Sequence, residues 1–130
     1  MKVNLLDLIT LFYEDASSAV WSVKPVKLQD GYEYFEVTGS CKDQFEQIAN
    51  SNKLIGGNDL FELVQNTVQI IWGEFHAFTD EGAEKAFVII RAIDSTFYEI
   101  ETSDENLRAL IKSNYLNVEI VDQSFAVCDE

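Results

Sequence analysis

The chain contains few of the residues that break or cross-link small proteins. Its 130 residues include one proline and six glycines, a composition unlike that of a low-complexity linker or a repeat array. The two cysteines, Cys41 and Cys128, are far apart and form no Cys-x-x-Cys spacing. We therefore expect two reduced thiols rather than a disulfide or a zinc site.

Long apolar runs are also missing. No stretch approaches the ~20 consecutive apolar residues that a membrane-spanning helix needs. The first residues, MKVNLLDLITLFYED, have a single early lysine, an aspartate inside the apolar run and no small-residue cleavage site. These features do not match a secretory signal peptide. Together with the reduced thiols, they predict a cytoplasmic protein.

Basic residues are scarce, and this imbalance is the most unusual property of the sequence. There are 23 acidic and nine basic residues, giving a formal net charge of −14. Most of the excess lies in residues 30–62 and 74–105. Such a field repels nucleic acid and anionic membranes and accelerates encounter with basic proteins. Solubility alone is the competing explanation for the charge.

Apolar residues are abundant enough for a folded core. Hydrophobic residues make up 47% of the chain, including nine Phe, five Tyr and two Trp. A chain of this length buries a sizeable core without metals or disulfides, and disordered chains lack such side chains. We expect a single globular domain over residues 1–130.

Hydrophobic periodicity predicts the order of the secondary structure. The predicted elements are helix 4–16, strands 20–28 and 32–38, a helix from 41 that ends near 50–53, helix 59–66, strands 68–78, 86–94 and 96–102, helix 103–115 and strand 117–122. Pro25 cannot donate a ladder hydrogen bond, which favours an edge position for its strand. Strand 68–78 has apolar residues on both faces, as in a central strand or one bulged at Gly73.

Several polar residues are typical helix starts. Asn4 is a candidate N-cap of the first helix and Asn58 of the helix at 59–66. Ser40 resembles the first residue of a capping box, and Thr102 with Glu105 forms a Thr-x-x-Glu box before the last long helix.

The resulting order is roughly αββααββαβ, if the tight hairpin at 86–102 counts as one unit. It lacks the βαβ alternation of a parallel sheet. It predicts an α+β fold in which helices pack on one face of a mostly antiparallel sheet.

Residues 93–107 contain five carboxylates and no basic residue. Asp104 and Glu105 suit the start of a helix, and Asp94 suits a turn. Glu99 and Glu101 have no such local role. In a strand they share a face with Phe97, which makes either an ordinary solvated face or a recognition surface.

One face of strand 68–78 adds further polar and aromatic residues, and it includes the only histidine. If the strands are neighbours, the two sets converge into one surface, for which we predict a partner-binding role. The candidate residues are Trp72, Glu74, His76, Phe97, Glu99 and Glu101. A histidine beside carboxylates could instead act as an acid or base. No catalytic set, metal site or cofactor motif is recognisable, and nucleic-acid binding is disfavoured.

A short, strongly acidic α+β chain with aromatics among its carboxylates resembles the small immunity proteins of bacterial toxin systems. The resemblance lies in composition, size and architecture rather than in a motif. It implies a cytoplasmic inhibitor that neutralises a basic protein, such as a toxin or nuclease domain, without enzymatic activity or a cofactor. The alternatives are a structural or accessory domain or homodimer, and a small enzyme built on His76 and nearby carboxylates.

Overall fold

The computed structural model describes residues 4–95, 97–114, 118–121 and 124–128. The helices are α1 (Leu5–Leu11), α2 (Tyr13–Ser18), α3 (Lys42–Ala49), α4 (Gly57–Gln65) and α5 (Glu105–Asn114). The strands are β1 (Val20–Lys24), β2 (Val26–Lys27), β3 (Glu33–Tyr34), β4 (Glu36–Gly39), β5 (Leu54–Gly56), β6 (Thr67–Phe78), β7 (Val88–Ile93), β8 (Phe97–Glu101), β9 (Val118–Val121) and β10 (Ser124–Cys128). The protein is a single α+β domain, as predicted.

One large sheet organises the domain. Its strand order is β5-β1-β6-β7-β8-β10-β9, and β4 pairs with β6 outside that path. Each strand pairing within the described residues is antiparallel. β6, β7 and β8 lie side by side at the centre of this sheet, so the strands that carry the predicted site residues are neighbours.

The two faces of the central strands differ in burial. On the inner face, Phe75, Ile90 and Ile100 are paired in register across β6, β7 and β8 and are almost completely buried. Apolar residues of all five helices join these side chains in one core cluster. Alternate residues on the opposite face, here called the outer face, are half-buried. The period of two along each strand thus separates a helix-covered core from a second, polar surface.

The predicted edge position of the first strand is wrong. β1 pairs with β5 on one side and with β6 on the other, and its Trp21 is completely buried. Pro25 instead ends β1, and β2 begins one residue later. The missing N–H therefore interrupts the strand instead of marking a sheet edge.

The predicted helix at 4–16 is two helices. Asn4 caps α1 by accepting a hydrogen bond from the Asp7 N–H at 2.8 Å, as predicted. Phe12, with φ −123° and ψ 48°, then leaves the helical region and separates α1 from α2. This break changes the direction of the chain, while Phe12 itself remains in the core.

Three other predicted caps are wrong. α4 begins at Gly57 after Gly56, so Asn58 lies inside the helix. The Ser40 hydroxyl donates to the Asn66 carbonyl and does not cap α3. Thr102 donates to the Phe87 carbonyl, and the carboxylate that accepts from the first N–H groups of α5 belongs to Asp104.

The remaining predictions for β6 and the C-terminal region are partly correct. β6 is irregular against β4, because Glu36 pairs with Trp72 and Val37 with Ile70. A second shift follows, because Thr38 pairs with Gln69 and Gly39 with Thr67. The extra residues of β6 are therefore Ile71 and Val68, and neither is the predicted Gly73. β9 corresponds to the predicted strand at 117–122, whereas β10 was not predicted. The predicted last helix extends to 115, and its final residue, Tyr115, lies outside the described residues.

α4 approaches α2 so closely that its first residue must be glycine. A Cβ on Gly57 would lie 2.0 Å from the Ala16 carbonyl oxygen and 2.6 Å from that of Ser17. The same Ala16 oxygen accepts a hydrogen bond from the buried Trp21 indole at 2.9 Å. The carbonyl is thus held from one side and cannot easily retreat from an added methyl group.

We expect Gly57→Ala to destabilise the protein by at least about 2 kcal/mol, because the clash must be relieved by moving backbone. Gly56→Ala is the matched control, since its added Cβ meets only Asp59 Oδ2, at 3.8 Å. That control should stay within about 1 kcal/mol of wild type. Urea unfolding measures both, and equal stabilities for the two variants would contradict the close approach.

The β7–β8 hairpin turns without glycine. Asp94 and Ser95 have φ values of 50° and 57°, in the left-handed region that most side chains avoid. The Ser95 N–H donates to the Ile71 carbonyl at 3.0 Å, which ties the turn to β6. The turn is therefore anchored to β6 as well as to the two strands that it joins.

Ser95→Gly should stabilise the protein by roughly 0.5–1 kcal/mol, because relief of the left-handed strain exceeds the entropic cost of glycine. Ser103→Gly, at an exposed position without positive φ, should be neutral or destabilising. Thermal unfolding of the two variants tests the difference. A Ser95→Gly variant that melts below wild type would show that the turn is not strained.

Candidate functional site

The sheet register brings four of the six predicted site residues together on the outer face. Glu74 of β6 lies directly opposite Arg91 of β7, and Arg91 lies directly opposite Glu99 of β8. Glu101 is two residues beyond Glu99, and His76 is two residues beyond Glu74. Because alternate residues of a strand share a face, these five side chains form one group, here called the Arg91 cluster.

Arg91 is the centre of the cluster. Its Nε donates to Glu74 Oε1 at 2.7 Å, and its Nη1 donates to Glu99 Oε1 at 2.8 Å and to Glu101 Oε2 at 3.2 Å. One guanidinium on β7 therefore bonds three carboxylates, one on β6 and two on β8, the strands on either side of β7. Glu99 and Glu101, which have no role in local structure, have a tertiary one: they hold this arginine.

His76 extends the cluster away from β8. Its Nε2 lies 2.6 Å from Glu74 Oε2. A carboxylate can only accept a hydrogen bond, so this ring nitrogen carries the proton when Glu74 is ionised. Both oxygens of Glu74 then accept bonds, one from His76 and one from Arg91, which makes Glu74 a poor candidate for a general base.

The cluster determines the ionisation of its central groups. Partial burial by itself would raise the pKa of Glu74, but the bonds from His76 and Arg91 outweigh it and hold that pKa below its ordinary value. Burial likewise opposes the charge of Arg91, yet Glu74, Glu101 and Glu99 together raise its pKa. Both groups therefore remain charged in the folded protein at neutral pH.

Exposure is uneven across the cluster. The side chains of Glu74 and His76 are each 18% exposed and that of Arg91 21%, whereas those of Glu99 and Glu101 are 40% and 44% exposed. Lys24 of β1 lies opposite Glu74 in the same row, so positive charge borders the other end. The negative charge that reaches solvent is thus concentrated at the β8 side.

The two aromatic site residues border the cluster. Trp72 and Phe97 are both half-buried, and they lie two residues before Glu74 and Glu99 on their strands. The Trp72 ring stacks on Tyr34 of β3 with centroids 4.8 Å apart and planes inclined by 26°. Phe97 pairs in register with Ile93 at the β7–β8 turn. All six predicted residues therefore lie on one connected surface.

Arg91 was missed by the sequence analysis, although a signal was present. It is the only charged residue in an otherwise apolar run, FVIIRAI, and in a period-two strand it occupies the same face as Ile89 and Ile93. A lone arginine in a central strand indicates a carboxylate partner, since unpaired charges are rarely buried. Which carboxylates it meets depends on the register of two neighbouring strands.

A second feature lies on the helix side. A groove of about 230 Å³ separates α3, α4 and β5 and shares no residue with the Arg91 cluster. Its lining residues are Cys41, Gln44, Ile48, Ile55, Asp59, Glu62, Leu63 and Asn66. Cys41 is a free thiol, as predicted, while the side chain of Cys128 lies outside what the structure describes.

Neither a metal-binding group of side chains nor a membrane-spanning helix is found in the described part of the chain. Within the described ranges, no group of three or more histidine, cysteine, aspartate or glutamate side chains is arranged to hold a metal ion. No helix in the same part of the chain is long and apolar enough to cross a membrane.

Comparison of the chain with protein families, curated proteins and solved structures found no significant match in any of the three.

The depressed pKa of Glu74 predicts a pH-dependent contribution to stability. Because that pKa is lower in the folded than in the unfolded chain, ionised Glu74 stabilises the fold above about pH 4.5, the ordinary pKa of a glutamate. The stabilisation is lost as the pH falls through the folded-state pKa. The difference in unfolding free energy between wild type and Glu74→Gln should therefore be largest near neutral pH and shrink towards pH 3.

Chemical denaturation at several pH values measures this difference. An Arg91→Met background is the control, because removal of the guanidinium should reduce the pH-dependent part of the Glu74→Gln effect. A difference that stays constant between pH 6 and pH 3 would contradict the assigned role of the cluster.

Proposed function

We propose that the protein binds a basic protein partner through the outer face of its sheet, as a toxin immunity protein or nuclease inhibitor does. The observation that carries the proposal is the sharing of one guanidinium by three carboxylates, of which the two most exposed bond the same arginine nitrogen. Arg91 cannot neutralise Glu99 and Glu101 together, and their excess negative charge faces solvent.

The arrangement suits recognition better than catalysis. Glu74 and His76 are bonded to each other and mostly shielded, so the groups an acid–base enzyme would use are already occupied. Glu99 and Glu101 are held in place by Arg91 and still have accessible carboxylate surface. Side chains fixed before binding lose less conformational entropy when a partner arrives, which favours affinity.

The net charge of the chain supports a basic partner in particular. With 23 acidic and nine basic residues, the long-range field attracts a cationic protein and increases its association rate. Phe97 and Trp72, beside the carboxylates, supply the aromatic surface that interface anchors require. In this proposal the carboxylates increase the association rate, and the aromatic side chains lower the dissociation rate of the complex.

The partner can be identified by photo-cross-linking from the outer face. The photoreactive residue p-benzoylphenylalanine replaces Phe97 in the full chain, and illumination in the native host is followed by mass spectrometry. We expect a protein of basic isoelectric point to be captured. Capture of acidic proteins alone would contradict the proposal.

Association kinetics with that purified protein then test the charge. Glu99→Gln and Glu101→Gln together should slow association by about tenfold at low ionic strength, and added salt should reduce the difference. Asp59→Asn and Glu62→Gln together are the matched control for the loss of two charges, because both carboxylates are exposed on α4 at the helix side. If the outer-face variants associate as fast as this control, the acidity serves solubility alone.

A further inference from the structure

The β2–β3 hairpin contains more residues than are needed to connect β1 with β4. β1 and β4 run in the same direction along successive stretches of β6, since Lys24 pairs with Glu74 and Glu36 with Trp72. Only one residue of β6 separates these two attachment points. The chain nevertheless leaves the sheet over residues 25–35, forms a separate two-stranded ribbon and returns. A connection of one or two residues would span the gap.

Part of the ribbon has a packing role and part has none. Val26 at its base is buried in the domain, and Phe35 packs against the core cluster. Tyr32 near its tip is 69% exposed, the highest value among the large hydrophobic side chains exposed on the described part of the chain. A large aromatic ring that the core does not use is a typical binding residue.

Local hydrogen bonds hold the tip in one conformation. The Asp30 carboxylate accepts from the Tyr32 N–H at 2.9 Å and from the Tyr34 hydroxyl at 2.8 Å. The Leu28 N–H donates to the Tyr32 carbonyl, and Gly31 takes φ +86° to close the turn. Tyr32 is therefore presented on a preorganised loop, which lowers the entropic cost of binding.

The ribbon is also joined to the outer face. Tyr34 stacks on Trp72, and Trp72 shares its side of β6 with Glu74 and His76. The surface is thus continuous from the tip of the hairpin to the Arg91 cluster. Residues 25–36 carry three exposed carboxylates, those of Asp30, Glu33 and Glu36, and one exposed lysine, Lys27, which pairs with Glu33. The net charge of the ribbon is therefore negative, like that of the β8 side of the outer face.

We propose that the β2–β3 hairpin is a second contact element for the basic partner, in which Tyr32 inserts into a cationic cleft of that protein. This inference rests on the proposed function for the chemistry of the partner. It assigns Tyr32 the role of a buried anchor. The tyrosine ring can stack on an arginine or lysine side chain, while Glu33 and Glu36 face the cationic rim.

The first test places p-benzoylphenylalanine at position 32 in the full chain and compares it with the variant carrying it at position 97. Position 13 is the control, because Tyr13 is 52% exposed but lies on α2, where its ring packs on Phe61. We expect the same basic protein to be captured from positions 32 and 97, and not from position 13.

The second test measures kinetics with the captured protein, purified, as the probe. Tyr32→Ala should raise the dissociation rate by about tenfold or more and leave the association rate and its salt dependence unchanged. Tyr32→Phe should retain most of the affinity because it keeps the ring, and Tyr13→Ala should behave as wild type. Equal melting temperatures would confirm that all three variants are folded.

The outcomes separate the two proposals. Capture from position 97 together with an unchanged dissociation rate for Tyr32→Ala would overturn the hairpin contact and retain the outer-face site. Capture of a basic protein from position 32 alone would support the hairpin contact and overturn the outer-face site. If neither position captures a basic protein, both proposals are wrong.

Discussion

The Arg91 guanidinium, bonded to Glu74, Glu99 and Glu101, sets the constraint on which the outer face depends. Glu74 and Arg91 are mostly shielded from solvent, and neither charge would be tolerated there alone. Their compensation requires β6, β7 and β8 to pair in one register. A shift of one residue in either pairing would turn charged residues towards the core and apolar residues outwards. The charged group therefore helps to specify the register as well as to form the surface.

The two faces of the sheet carry different kinds of residues. Helices α1 to α5 supply one continuous core against the inner face, and the close approach of Gly57 to Ala16 sets how α4 and α2 meet. The outer face is left with half-buried side chains, a row of alternating charges from Lys24 through Glu74 and Arg91 to Glu99, and the ribbon that stacks on Trp72.

Much of the fold was predictable because its signals are local. Runs of β-branched and aromatic residues identified the central strands, and Asn4 identified the start of α1. The cap predictions failed where a hydroxyl group bonds a distant backbone carbonyl and does not cap the helix beside it. The Ser40 and Thr102 hydroxyls, read as helix caps, donate instead to carbonyls at Asn66 and Phe87. A sequence pattern shows that a hydroxyl could cap a helix, but it does not show which other acceptors the fold places nearby.

The sequence by itself determined the fold class, the central strands and the side of each strand on which Glu74, His76, Glu99 and Glu101 lie, because side-chain direction follows from the period of two. It also determined the net negative charge. Only the tertiary structure decided that these carboxylates share Arg91, that β1 lies inside the sheet, and that the hairpin bearing Tyr32 stacks on the outer face. Each of these depends on which strands pair and in which register, and pairing joins residues that are far apart in the chain.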